Sequence, residues 1–348
     1  LSTSSLHSTA SVGVRAFGLL AVFALAGCSD AHLTFLDPQG PVAAAQRHQF
    51  WLVIAVTSTV VLPVLVLTPW ILVRYRYGRQ AAYRPQWGFS KLADLVIWGV
   101  PVLVVIVLAI TAWRSTLALD PYKPLTSDTP PLEVQVIGFD WKWLFVYPEQ
   151  GIASVNRLVI PAGRPVSFEL TSASVMQGFF IPALGSQIDV MNRMTTKLHL
   201  QADETGTFIG KNMQYNGTGF HQQRFVTQAV APAAFQRFVD RTRQDGVPLD
   251  ADAYRALDER GTAARLRQRL APETAVAERG EIATLAFSAL PAGFFDAVVA
   301  HESPNWNARD GEDGPPETGT DQDEPTNRDE RRHERRNTQA ATTGSRQS

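Results

Sequence analysis

The chain has 348 residues, with 32 Lys and Arg against 33 Asp and Glu, seven His and a single Cys. That length accommodates two or three domains at about 100–200 residues each, and a net charge of −1 excludes a basic, nucleic-acid-coating protein. One Cys excludes an intramolecular disulfide and any metal centre that takes two thiolates from this chain. The mean hydropathy of −0.07 is that of a soluble protein, but the average hides an uneven distribution of apolar residues.

Arg15 precedes a short apolar run from Ala16 to Gly27. A basic flank, a short apolar stretch and small residues at its end mark residues 1–27 as a secretory signal peptide. The run is shorter than the roughly 20 residues that a bilayer span needs. It ends in Leu25, Ala26, Gly27 and Cys28, which resembles the bacterial lipobox, where the Cys thiol is diacylated and the signal is cut just before it. Residues 28–49 are then a lipidated, exported N-terminal segment, and Asp30 stands where lipoproteins carry an inner-membrane retention signal.

Two longer runs follow, 50–73 and 95–113, neither with a charged residue. Both are long enough to cross the hydrocarbon core and apolar on every face, unlike the one-sided stripe of a soluble helix. Pro63, Pro69 and Pro101 are compatible with membrane helices whose freed carbonyls find other partners. Trp51, Trp70, Trp98 and Trp113 lie near the span ends, where aromatic belts form. The connecting segment, 74–94, carries Arg74, Arg76, Arg79, Arg84 and Lys91 with no acid before Asp94. The positive-inside rule places it in the cytoplasm and both flanks outside, in agreement with an exported Cys28.

From residue 114 to 231 the pattern is that of an exported β-sandwich. Leu132 to Gly138 alternates with period 2, and Trp141 to Tyr147, Arg157 to Ile160, Pro165 to Leu170, Lys197 to Leu200, Gly206 to Ile209 and Arg224 to Val230 follow as strands. Pro161 to Gly163, Asp203–Glu204 and Asn216–Gly217 supply turns.

The segments Ile137 to Trp143, Ser172 to Gly185 and Gly206 to Gly210, set behind a two-span hairpin, resemble subunit II of the haem–copper respiratory oxidases. That resemblance covers about residues 33–300 and implies a membrane-anchored α+β chain: a two-helix transmembrane hairpin, a periplasmic cupredoxin-like sandwich and a C-terminal helical extension. It places the dinuclear copper ligands of the cytochrome c oxidase branch at Gln177, Asn212, Gln214, Asn216, Phe220 and Gln223. No thiolate, imidazole or thioether stands at any of them, and those are the donors copper takes. The chain is therefore expected to hold no metal or other cofactor. His221, one residue past an expected ligand, and Met213 read as isolated surface residues.

Loss of copper with the fold retained resembles the quinol oxidase branch, because a membrane-dissolved quinol delivers electrons without a relay at the aqueous surface. Phe35 to Gly40, Leu117 to Pro124, Phe179 to Gln187 and Tyr215 to Phe220 are similar to segments of the bo-type ubiquinol oxidase subunit II. The resemblance implies a proton-pumping complex that oxidises ubiquinol and reduces dioxygen to water. Haem, catalytic copper and the quinol site would belong to subunit I, with smaller membrane subunits as further partners and no cytochrome c. This chain would be a non-redox assembly subunit without a catalytic residue. Trp141, the electron-entry position of the copper-bearing branch, becomes a packing residue. Asp94 stands where the family places an acid near a proton-uptake path of subunit I, and it equally suits a helix N-terminus by its charge. A menaquinol oxidase subunit and a stand-alone membrane lipoprotein scaffold are the rival readings.

Residues 232–301 turn helical, with Phe235, Phe238 and Val239, then Tyr254 and Leu257, then Leu266 and Leu270 at helical spacing. The apolar stretch from Leu285 to Ala300 is expected to pack on the sandwich. Beyond Trp306 there is no Val, Ile, Leu, Met, Phe, Trp or Tyr, so 302–348 reads as a disordered tail.

The lipobox makes a direct prediction. Cys28→Ser leaves the signal uncut and the chain without acyl mass in intact-protein mass spectrometry; a mass differing from wild type only by the substitution counts against lipidation.

Overall fold

The computed structural model describes residues 35–76, 88–185, 187–272, 282–304 and 306. Cys28, the signal segment, most of the inter-span segment and nearly all of the tail lie outside the described residues.

Helix α1 runs Pro41–Arg74 and helix α2 runs Lys91–Ala118. At 1.5 Å per residue they are about 51 and 42 Å long, more than the hydrocarbon core requires. Both extend beyond the uncharged stretches 50–73 and 95–113, because polar turns continue the helices at each end. Pro41 opens α1, where its missing N–H costs nothing. Ser90 caps α2, its hydroxyl accepting from the Ala93 amide at 3.4 Å. The two helices pack alongside each other. Only Ala43 of α1 and no residue of α2 is buried by protein, so their Leu, Val, Ile and Trp side chains form an apolar surface that water would disfavour. Thr59 and Thr111 turn their hydroxyls back onto the helix carbonyls of Val56 and Val107, at 2.7 and 2.9 Å.

The hairpin is tied to the sandwich at the start of α1. The Gln39 amide donates to Ala183 O at 2.8 Å, the Ala43 amide to Leu184 O at 3.2 Å, and the Asp203 amide to Gln39 O at 2.9 Å. Gly40 permits this contact, since a Cβ there would lie 2.0 Å from Gln201 O.

The strands are β1 (Leu132–Phe139), β2 (Lys142–Tyr147), β3 (Ile152–Val155), β4 (Arg157–Pro161), β5 (Val166–Ser172), β6 (Gln177–Phe180), β7 (Ile188–Val190), β8 (Thr196–Leu200), β9 (Gly206–Asn212), β10 (Arg224–Val230), β11 (Val247–Pro248) and β12 (Leu285–Ala289). One sheet has the order β11-β12-β3-β2-β1-β5-β8 and the other β4-β10-β9-β6-β7. Between them lies an aromatic core. Phe179 and Phe225 stack at 5.1 Å and 11°, and Trp143 meets Phe179 edge-on at 5.4 Å.

Helices α3 (Pro232–Asp245), α4 (Ala251–Asp258), α5 (Ala263–Leu270) and α6 (Phe294–Ala300) complete the chain. Leu257, Leu266, Phe294 and Phe295 cover the outer face of the larger sheet, packing on Ile137, Leu144 and Phe287. The extension is therefore not wholly helical: Leu285 to Ala289 is a strand that lengthens the larger sheet beside β3. With both faces of that sheet covered, β2 is buried along its whole length and cannot alternate.

Burial of both faces puts one cation, Lys142, at the centre of the interior; Arg267 of α5 is also buried, at 9% exposure. Lys142 is 1% exposed, and its ammonium donates to Glu259 O at 2.8 Å, Gly261 O at 2.9 Å and Asp140 O at 3.4 Å. The α4–α5 turn is thus pinned to β2 by carbonyl oxygens. Removal from water lowers the Lys142 pKa from 10.5 to about 8, against the pull of Asp140, Asp258 and Glu259. Below pH 8 the folded chain carries the full penalty of a buried charge. Between pH 8 and 10.5 the unfolded chain keeps a proton that the folded chain has released, so stability rises with pH. Above the ordinary phenol range Tyr147, whose pKa burial raises, opposes this trend. Thermal unfolding of the purified protein between pH 7 and 9.5 is expected to show a rising component that Lys142→Met abolishes.

Candidate functional site

The loops at one pole of the sandwich bring together residues distant in sequence. β6 begins with Gln177, β9 ends with Asn212, the following loop supplies Asn216, and a short 3-10 turn (Phe220–Gln222) delivers Gln223 just before β10. Antiparallel pairing of β9 with β6 and β10 sets these starts and ends side by side. Gln177, Asn212, Asn216 and Gln223 are all buried, at 0, 3, 8 and 0% exposure.

Their amides bond to one another. Gln223 Oε1 accepts from Asn212 Nδ2 at 2.9 Å and from Asn216 Nδ2 at 2.7 Å. Gln223 Nε2 donates to Phe139 O at 3.2 Å and to Gln177 Oε1. Gln177 Nε2 donates to Phe139 O at 3.3 Å and reaches the hydroxyls of Ser172 and Ser174 at 3.3 and 3.4 Å. Asn212 Oδ1 accepts the backbone amides of Gly178 at 2.8 Å and Gln214 at 2.9 Å. An amide donates through nitrogen and accepts through oxygen at once, so a network centred on Gln223 forms without charge; it is called the amide ring below. Gly138 leaves room for it, since a Cβ there would lie 2.4 Å from Gln177 Oε1.

The six expected ligand positions divide accordingly. Four join the ring; Gln214 contributes its backbone amide; Phe220 is half-buried against Tyr215, with ring centres 5.7 Å apart. His221 is exposed and meets only the Gln222 side chain, at 3.1 Å. Among the described residues no three His, Cys, Asp or Glu side chains gather where they could hold a metal. The donor set does not fit a dinuclear copper centre: inward-facing NH₂ groups stand where lone pairs of soft donors would be needed.

Trp141 closes the pole from above. Its backbone takes a left-handed conformation, φ 68°, in the turn between β1 and β2 rather than in the strand. Its ring lies flat on Gly219, where a Cβ would come within 2.0 Å of Cδ2. Its indole N–H donates to Asn216 O at 3.4 Å. The Arg260 guanidinium covers the ring at 5.6 Å and pairs with Asp140 Oδ2 at 2.9 Å, while Ser174 Oγ donates to Asp140 Oδ1 at 2.9 Å. Asp140, Ser172, Ser174 and Lys142 lie in the segments that carry the family resemblance but, like Arg260, had no site role in the sequence reading. The one signal for them was a lysine and an acid flanking Trp141 in an otherwise apolar stretch.

Asp94 lies in the first turn of α2, exposed, as a helix N-terminus favours. It is remote in sequence from the pole and belongs to the hairpin.

The family model described as cytochrome c oxidase subunit II, periplasmic domain, matches residues 150–230. Subunit 2 of the cytochrome bo(3) ubiquinol oxidase of Pseudomonas putida is 42% identical over 244 residues, 70% of this chain and 78% of that one. The chain belongs to the ubiquinol oxidase subunit 2 family. The Acetobacter aceti ubiquinol oxidase subunit 2 is likewise 42% identical, over 69% of this chain and 78% of its own length. The Bacillus subtilis quinol oxidase subunit 2 is 37% identical over 68% and 74%. The crystal structure of the periplasmic domain of cytochrome oxidase subunit II (CoxB) of Bradyrhizobium japonicum aligns with a TM-score of 0.32 at 23% identity, over 34% of this chain and 95% of that one.

The ring is a testable structure. Gln223→Met keeps the volume but orphans the Asn212 and Asn216 NH₂ groups. Each buried group left unpaired costs about 1–3 kcal/mol. A lowered thermal midpoint is expected in calorimetry of the purified protein, with Gln223→Glu, which retains two acceptors, affected differently with pH.

Proposed function

We propose that this chain is the second subunit of a terminal oxidase in the bacterial inner membrane, a complex that oxidises ubiquinol, reduces dioxygen to water and pumps protons. The observation that carries this reading is the buried amide network centred on Gln223, at the positions where the family resemblance puts the copper ligands. A chain without a surface redox centre gains nothing from a soluble one-electron donor. The work it does is structural: a hairpin for partner helices and a rigid exported sandwich tied to it through Gln39 and Ala43. A subunit I that carries haem and copper supplies the chemistry and handles the quinol, and smaller membrane subunits complete the assembly. The 42% identity to the ubiquinol oxidase subunits of Pseudomonas putida and Acetobacter aceti, against 37% to the Bacillus subtilis quinol oxidase subunit, favours ubiquinol over menaquinol. The paired apolar helices favour a complex over a stand-alone lipoprotein scaffold.

The same reading places Cys28 under a lipid anchor, both ends of the mature chain in the periplasm and residues 74–94 in the cytoplasm. It also places Asp94 beside a proton-uptake path of subunit I, where its exposed carboxylate helps gather protons.

The test is donor-dependent oxygen uptake by the purified complex. Turnover with ubiquinol and none with reduced cytochrome c is expected; turnover with cytochrome c alone refutes the reading. In the same preparation Asp94→Asn is expected to slow turnover and pumping, and unchanged rates remove Asp94 from proton uptake.

A further inference from the structure

Three arginines line one cleft at the edge of the sandwich, which shares no residue with the amide ring. Arg157 opens β4, the edge strand of the smaller sheet, and Arg237 and Arg241 stand about one turn apart on α3. The cleft has a volume of about 540 Å³, within the range of about 300–1,000 Å³ that small-molecule sites occupy.

The strand pattern decides what faces it. Phe225, Thr227 and Ala229 of β10 are buried toward the core, so Gln228 and Val230 belong to the outward side. The parallel register of β4 sets Val159 beside Gln228. α3 covers this edge with Phe235, Phe238, Val239 and Thr242 buried. Arg237 and Arg241 immediately precede Phe238 and Thr242, on the flank of that buried stripe, and both line the cleft together with Val159 and Val230.

Arg157 is held in place from two sides. Its Nε donates to Gln228 Oε1 at 3.0 Å, and its guanidinium lies over the Phe238 ring at 5.4 Å. These contacts leave its terminal NH₂ groups unbonded among the described residues. Arg237 and Arg241 make no hydrogen bond or ion pair among the described residues. Asp245 also lines the cleft, yet no arginine comes within ion-pair distance of it. Like charges one helical turn apart repel, and an anion seated between them removes that cost.

A guanidinium presents a planar fork of donors that matches phosphate oxygens two at a time, and one phosphoryl group has oxygens enough for more than one fork. Val159 and Val230 add apolar wall, which suits the carbon part of an ester better than a bare ion. We propose that Arg157, Arg237 and Arg241 form a binding site for a phosphate ester. The Val230 end of the cleft lies on the side where the hairpin is attached: Val230 O accepts from the Ala162 amide at 2.8 Å, Ala202 O from the Gly163 amide at 2.8 Å, and Gln39 O from the Asp203 amide at 2.9 Å. A phospholipid headgroup and a soluble phosphate ester therefore both have access to it.

The experiment titrates glycerol 3-phosphate, by calorimetry, into the protein purified with its membrane partners in phosphatidylcholine nanodiscs. One site is expected, at least tenfold weaker in Arg237→Gln/Arg241→Gln and unchanged in Arg255→Gln, whose arginine lies on α4 outside the cleft. An unchanged unfolding midpoint verifies the fold of each variant. Repetition in nanodiscs containing phosphatidylglycerol separates the two sources: weakened binding there identifies a lipid headgroup as the occupant, and equal binding identifies a soluble ester. No binding by the native protein in phosphatidylcholine nanodiscs overturns the proposal, as does equal binding by the double variant or equal weakening in Arg255→Gln.

Discussion

One side chain holds the functional pole together. Gln223 accepts two hydrogen bonds and donates two, which is everything an amide can do, and each goes to a different stretch of chain. Through it the end of β1, the start of β6, the end of β9 and the following loop are held together by hydrogen bonds. Elsewhere in a buried region, groups of this polarity would be a liability. Here nearly all of them pair with one another or with the backbone, Asn216 Oδ1 being the exception, so the loops of this pole are ordered around neutral hydrogen bonds.

The C-terminal extension reinforces the same pole from outside. Lys142 and Arg260 both meet the junction of β2 with the α4–α5 turn. Lys142 buries its ammonium among carbonyls, and Arg260 lies over Trp141 while pairing with Asp140. The exposed ion pair contributes little on its own. Its value is geometric, since it holds a guanidinium over the indole ring, which also packs against Gly219.

Much of this was legible in the sequence, for identifiable reasons. The two long helices could be read because lipid-facing helices are apolar all round, and seven strands because turn residues and alternation bounded them. β6 and β7 escaped because they have four and three residues and no free alternation, and β3 because its short run is buried throughout. β12 escaped because only its pairing with β3, distant in sequence, makes Leu285 to Ala289 a strand. At the site, the family resemblance located Gln177, Asn212, Asn216 and Gln223, and their chemistry showed that soft donors were missing. Spacing gave no sign that the four amides close on each other, nor that Arg260 and Lys142 meet the turn around Trp141. Such contacts depend on how two cores stack on either side of one sheet.

The central claim is that amide hydrogen bonding has replaced copper coordination at this pole. Electron paramagnetic resonance of the oxidised complex, recorded after incubation with copper and removal of excess metal, tests it most directly. The account predicts no mixed-valence dicopper signal, since the amides at this pole offer no thiolates. A dicopper signal that disappears in a Gln177, Asn212 and Gln223 alanine variant would contradict it.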